Sequence, residues 1–163
     1  MTRPFDICIR GAGIVGRTLA LHLAAKQLRV ALVAADATPS ATNGASDVRA
    51  YALNQPSRQL LESARCWPDV PHATPVLAMQ VHGDSGGQVA FNANDTPAEA
   101  LNWIVDVPVL EARLIEAVRY QGLIEVASTP QPATLTVVCE GRASSSRQEW
   151  GVQWDVKPYG QSA

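Results

Sequence analysis

The glycine-rich turn Gly11-Ala12-Gly13-Ile14-Val15-Gly16 constrains this chain more than any other feature. It follows an apolar run at residues 5–9. It leads into a stretch, 14–25, in which Val15, Leu19 and Leu23 recur at helical spacing together with Ala20 and Ala24. Residues 29–33 then form a second apolar run. A GxGxxG alone is a weak signal, but set between a strand and a helix it has a mechanism. Gly11 permits a tight turn, Gly13 lets a pyrophosphate approach the backbone, and Gly16 lets the helix lie close to the strand. The free N–H groups at the helix start favour an anion, with the helix dipole helping. A strand-to-helix turn that merely needs glycines is the plainer alternative. The pattern predicts an α/β, Rossmann-like fold whose parallel strands are buried on both faces.

Composition narrows the function classes. A chain of 163 residues with 47% hydrophobic and 17% charged residues supports one domain with a real core. A net charge of −2 makes no electrostatic case for nucleic acid. Cys8, Cys66 and Cys139 are odd in number and lack CxxC spacing, so they read as reduced thiols, with no metal site expected. No apolar run approaches the roughly 18 residues of a membrane-spanning helix, and the N-terminus lacks a signal peptide's apolar region. A cytoplasmic location is expected, with peripheral membrane contact left open.

Further along, residues 34–46 read as a loop and 48–53 as a short extended piece. Asn54 can cap a helix with Pro56 in its first turn and Leu60, Leu61 and Ala64 on its buried face. Pro68, Pro71 and Pro75 predict an irregular connector. Leu77, Met79 and Val81 alternate with polar residues, as do Val89 and Phe91, around the turn Gly83-Asp84-Ser85-Gly86-Gly87, which predicts a β-hairpin. Residues 103–107 predict a strand, and Pro108 starts a helix burying Leu110, Leu114 and Val118, with Arg113 and Glu116 towards solvent. Residues 123–126 and 135–139 are further strands. His22 and His82 read as solvent-exposed. The domain reading is one domain over 1–163, with 68–107 as a β-rich insertion.

A dinucleotide site normally has an acid at the end of the second strand for the ribose hydroxyls. That position is Ala34, and Asp36 lies two residues on. Asp36 is the candidate substitute, or else an ordinary loop carboxylate.

A second feature is the segment Cys139-Glu140-Gly141-Arg142-Ala143-Ser144-Ser145-Ser146-Arg147 at a strand end. With the N-terminal turn and Asp47-Val48-Arg49-Ala50-Tyr51-Ala52-Leu53 it carries a resemblance. The chain resembles the N-terminal part of flavin-dependent aromatic hydroxylases of the para-hydroxybenzoate hydroxylase type. Within that type it is similar to the ubiquinone-biosynthesis hydroxylases, the UbiH- and VisC-like proteins. Residues 47–53 resemble their D-x-R-A-x-A-L segment. Residues 140–147 resemble their D-G-x-x-S-x-x-R motif, with Glu140 for Asp, and Trp103-Ile104-Val105-Asp106 stands where they carry I-V-E. The resemblance implies FAD, with its pyrophosphate on residues Gly11, Ala12, Gly13, Ile14, Val15 and Gly16. It implies Arg49 near the flavin or its phosphates, Asp106 on the ribitol side, and Glu140 and Gly141 in a motif serving FAD and NAD(P)H. It implies reduction by NAD(P)H, reaction with dioxygen and hydroxylation of a small aromatic or polyprenyl-phenol substrate. It assigns no catalytic residue. Ala34 and Pro108 depart from the pattern. Residues 1–163 stop short of the family's later G-D motif and most of its substrate domain, so a truncated FAD-binding domain, inactive alone, is expected.

Two alternatives accompany this reading. One is an NAD(P)-dependent oxidoreductase with a compact Rossmann domain, for which Arg29 and Arg49 are the nearest basic candidates. The other is a non-catalytic flavin-fold module that binds a partner or a second copy of itself, since a missing half would expose apolar surface.

Overall fold

The computed structural model describes residues 5–34, 47–158 and 160. The apolar N-terminal run forms β1 (Phe5–Arg10), which leads through the glycine turn into α1 (Ile14–Ala25) and returns as β2 (Val30–Val33). Two later strands, β8 (Ile124–Ala127) and β9 (Ala133–Val138), complete a four-stranded parallel sheet of order β8-β2-β1-β9. The register sets Ile9 beside Leu32 on one side and Val137 on the other. The α/β class and parallel sheet are those expected. Burial on both faces holds for the central strands: all four residues of β2 are buried, whereas the edge strands expose Val126 and Leu135.

Between β2 and β8 the chain builds two antiparallel sheets. β3 (Ala50–Leu53) and β4 (Ala73–Val76) flank β7 (Asn102–Asp106), and β5 (Ala78–His82) pairs with β6 (Gln88–Asn92) as the expected hairpin. The proline-rich connector proves to contain β4. This strand bonds only to β7, and an edge position tolerates Pro75 because its missing N–H faces no partner strand. The hairpin buries neither face: Leu77, Met79, Val81, Val89 and Phe91 are all exposed.

Two more helices pack the site's framework. α2 (Gln55–Ser63) is capped by Asn54, whose Oδ1 accepts the Ser57 N–H at 3.0 Å. Its buried face differs from the expected one, because Leu61 is buried while Leu60 is half exposed and lines a cavity. α3 (Val107–Arg119) buries Leu110, Leu114 and Val118 as the spacing predicts and packs against α1. Arg113 is not simply solvated, since its guanidinium donates to the Trp67 carbonyl at 3.2 Å and meets Asp69 at 2.5 Å. The main core gathers Ile7, Ile9, Val30 and Leu32 from the parallel sheet with Leu110 and Leu114 of α3 and Trp103 of β7. A short α4 (Ser146–Glu149) follows β9.

Candidate functional site

The site lies where the sheet order changes direction. From β1 the chain goes to β2 on one side, while β9 approaches from the other, and the crevice above their carboxyl ends is where open α/β sheets take ligands. The turn is tied to both neighbours: the Gly11 N–H donates to the Val33 carbonyl at 3.0 Å, and the Cys139 N–H to the Arg10 carbonyl at 2.7 Å.

The three glycines have separate physical reasons. Gly11 has φ +112°, and a Cβ there would lie 2.5 Å from the Cys139 backbone. A Cβ on Gly16 would lie 1.9 Å from the Gly11 carbonyl oxygen. Gly13 is the reverse case, since a Cβ there would meet nothing within 4 Å. Gly13 is the N-cap of α1, without a side-chain cap and with no acid in the first helical turn. The helix therefore presents N–H groups and the positive end of its dipole without a side-chain partner.

These groups open onto a cavity of about 1090 Å³, just above the roughly 300–1,000 Å³ common for ligand pockets. Gly11, Ala12, Gly13, Ile14, Val15, Glu140 and Gly141 line it together, while Gly16 packs beneath the turn. Ala34 also faces it. Arg49 stands outside this wall. It makes a bidentate contact with Asp47, its Nη2 lying 2.7 Å from Oδ2, and reaches within 3.6 Å of Glu111, which does line the cavity. Asp106 is not among the lining residues, and its carboxylate accepts from, or pairs with, His72 Nδ1 at 2.7 Å. Asp36 lies outside the described residues. The sequence reading missed Arg17, His22, Glu111 and Cys139 as lining residues. His22 is not merely solvated: its Nε2 lies 3.1 Å from the Leu60 carbonyl oxygen of α2. A helix-spaced sequence contains no signal for which neighbour will dock on it, so only the packing of α2 and α3 could disclose these residues.

Residues 140–147 knit themselves together. Glu140 accepts from Ser144 Oγ at 2.7 Å and from the Ser146 N–H at 3.0 Å. Arg147 turns back onto the Gly141 and Arg142 carbonyls and lies over the Trp154 ring. Arg10 ties the segment to β1, with Nε 3.4 Å from Glu140 and Nη2 2.7 Å from Glu149. Burial works against a charge on Glu140, but the hydrogen bonds from Ser144 and Ser146 and the Arg10 charge outweigh it and pull its pKa down to about 2. A depressed carboxylate contributes stability that is present above the unfolded value, 4.5, and is lost as pH falls towards 2. Glu140→Gln is expected to flatten this part of the pH–stability curve, measured as thermal midpoints across that acid range. An unchanged curve would remove Glu140 as its source.

A family model, FAD dependent oxidoreductase (DAO), matches residues 6–132 of the 163. The chain belongs to this FAD-dependent oxidoreductase family. FAD is the family's cofactor, and the arrangement fits it. An uncapped helix start, a glycine with open space at its Cβ position and a large cavity are what a pyrophosphate-bearing cofactor requires. No curated protein matches the sequence. Solved structures do. PqsL of P. aeruginosa, in complex with 2-aminobenzoylacetate, superposes with a TM-score of 0.75 at 20% identity, over 95% of this chain and 48% of that one. The p-nitrophenol 4-monooxygenase PnpA of Pseudomonas putida DLL-E4 gives 0.67 at 16% identity, over 95% and 45%. At these identities the likeness is one of fold, shared with FAD-dependent monooxygenases. This oxidoreductase chain spans about half the length of the solved structures it matches. Among the described residues no helix is long and apolar enough to cross a membrane, and no group of three His, Cys, Asp or Glu side chains could hold a metal.

Proposed function

We propose that residues 1–163 form the FAD-binding part of an NAD(P)H-using monooxygenase that hydroxylates an aromatic ring, of the ubiquinone-biosynthesis hydroxylase kind. The observation that carries this reading is the shared cavity. It joins the uncapped start of α1 at Gly13 to the Glu140–Gly141 turn, two of the features on which the resemblance rests. In this reading the first-turn N–H groups of α1 hold the pyrophosphate, and Gly13 leaves room for it. Arg49 is assigned a place near the flavin or its phosphates, and Asp106 serves the ribitol side. Glu140 acts as a positioning residue, because its carboxylate is occupied by Ser144, Ser146 and Arg10. When bound, the cofactor supplies the redox chemistry: acceptance of a hydride from NAD(P)H and activation of dioxygen. The region 68–107 is assigned to the substrate side of a single domain over 1–163. A small aromatic or polyprenyl-phenol substrate is in keeping with the 2-aminobenzoylacetate bound by PqsL. A cytoplasmic location with peripheral membrane contact, and self-association through exposed apolar surface such as the hairpin, complete the proposal.

The test is calorimetric titration of the purified chain with ADP and with FAD, followed by incubation with NADPH and a phenol. Binding of both ligands, without NADPH-dependent hydroxylation by this chain alone, is the expected result. Absence of ADP and FAD binding at high ligand concentration would remove the site. Tight nicotinamide dinucleotide binding without FAD would favour the plain Rossmann oxidoreductase.

A further inference from the structure

Arg17 is the one arginine or lysine among the described residues that line the cavity. It follows Gly13 by four residues, so the two share a face of α1. Long side chains on a helix lean back over the preceding turn, towards the helix start. Arg17 is partly buried, yet among the described residues its guanidinium makes no hydrogen bond and no ion pair. Other partly buried arginines behave differently. Arg10 and Arg58 each hold two carboxylates, Arg113 holds Asp69, and Arg147 holds backbone carbonyls. Glu111 of α3 is the nearest acidic influence on Arg17, but it stays beyond ion-pair distance and lies beside Arg49. Burial pushes the Arg17 pKa down and outweighs the opposing pull of Glu111, as expected for a cation that has lost water without gaining an ion pair. Such a charge is costly unless something anionic meets it.

We propose that Arg17 is a ligand for the pyrophosphate of the bound dinucleotide, adding a charged contact to the N–H groups of the first turn of α1. The proposal rests on the reading that this cavity takes FAD. It also gives Glu111 a role: a carboxylate between Arg17 and Arg49 competes with the ligand's phosphates for both cations.

The experiment is calorimetric titration of the 163-residue chain with ADP, on wild type, Arg17→Gln, Arg17→Lys and Glu111→Gln, with thermal melts of each protein without ligand. Arg17→Gln is expected to weaken ADP binding about 10- to 100-fold, the loss of a hydrogen bond to a charged group. Arg17→Lys should recover part of that loss, because the charge remains while the planar fork is gone. Glu111→Gln should tighten ADP binding. Without ligand, Arg17→Gln should melt no lower than wild type, because a desolvated, unpaired charge has been removed. Wild-type ADP affinity in Arg17→Gln would overturn the proposal, and so would a loss accompanied by a lower melting temperature of the ligand-free variant. If wild type binds ADP and FAD and Arg17→Gln does too, this inference alone fails. If wild type binds neither, the FAD reading fails with it.

Discussion

Gly16→Ala is expected to displace the glycine turn and abolish binding of both ADP and FAD. The added Cβ would sit 1.9 Å from the Gly11 carbonyl oxygen and 3.1 Å from the Gly11 carbonyl carbon, and both are backbone atoms. Neither can rotate away as a side chain would, so α1 must move off the end of β1. Overpacking typically costs about 1–3 kcal/mol, and a clash with backbone belongs at or above the top of that range. A domain's whole stability is about 5–15 kcal/mol. Gly13→Ala supplies the contrast. Its Cβ meets nothing within 4 Å and its φ is −75°, so folding should barely change. The same Cβ would occupy the approach to the first-turn N–H groups, and ADP affinity should fall. Thermal melts separate the two variants, and calorimetry with ADP tests the shared outcome. Wild-type melting and binding in Gly16→Ala would show that the turn tolerates a side chain and would remove the structural case for this glycine.

Trp103→Ala is expected to destabilise the chain by about 3–5 kcal/mol, a large fraction of the total. Trp103 is 4% exposed and lies on β7, the middle strand of the three-stranded sheet. Its ring meets Trp67 edge-on at 6.2 Å between centroids, and the Arg58 guanidinium lies 4.7 Å above it. Truncation would therefore open a cavity and remove the ring on which the Arg58 guanidinium lies. It would also loosen β3, which pairs with β7 along Leu53↔Trp103 and lines the cofactor cavity through Tyr51 and Leu53. Denaturant unfolding checks this: the midpoint should fall with the slope unchanged. A shift within a few tenths of a kcal/mol would mean that Trp67 and Arg58 close the gap, contrary to tight interior packing.

Some of this architecture is legible because its cause is local. Residues 5–33 combine strand, turn and helix signals at fixed spacing, and the structure places them as β1, the turn, α1 and β2. The Asn54 cap, the hairpin turn and the Leu110–Leu114–Val118 stripe are equally local, and all are present. Errors arise where the partner is distant. Leu60 and Leu61 are indistinguishable by helical period alone, and only the packing of α2 on the main core decides that Leu61 is covered while Leu60 stays half exposed. β4 is hidden by its proline, because edge or centre is a property of the sheet. The strands β8 and β9 follow one another closely yet lie at opposite edges of the sheet, with β2 and β1 between them. No periodicity encodes that order.

For the cofactor site the division follows the same physics. The sequence by itself determined the glycine turn, because a glycine requirement comes from backbone geometry within a few residues: a positive φ at Gly11 and a missing Cβ at Gly16. That Glu140 would accept from Ser144 Oγ at 2.7 Å and lie beside Arg10 was not legible in the motif and came only with the folded turn. Only the tertiary structure decided what surrounds the glycine turn. It set β9 beside β1, brought Glu111 of α3 to the cavity wall, turned Asp106 to His72 and left Arg17 without an ion pair. Charges act over distances in space, and the chain's order does not record which of them will be neighbours.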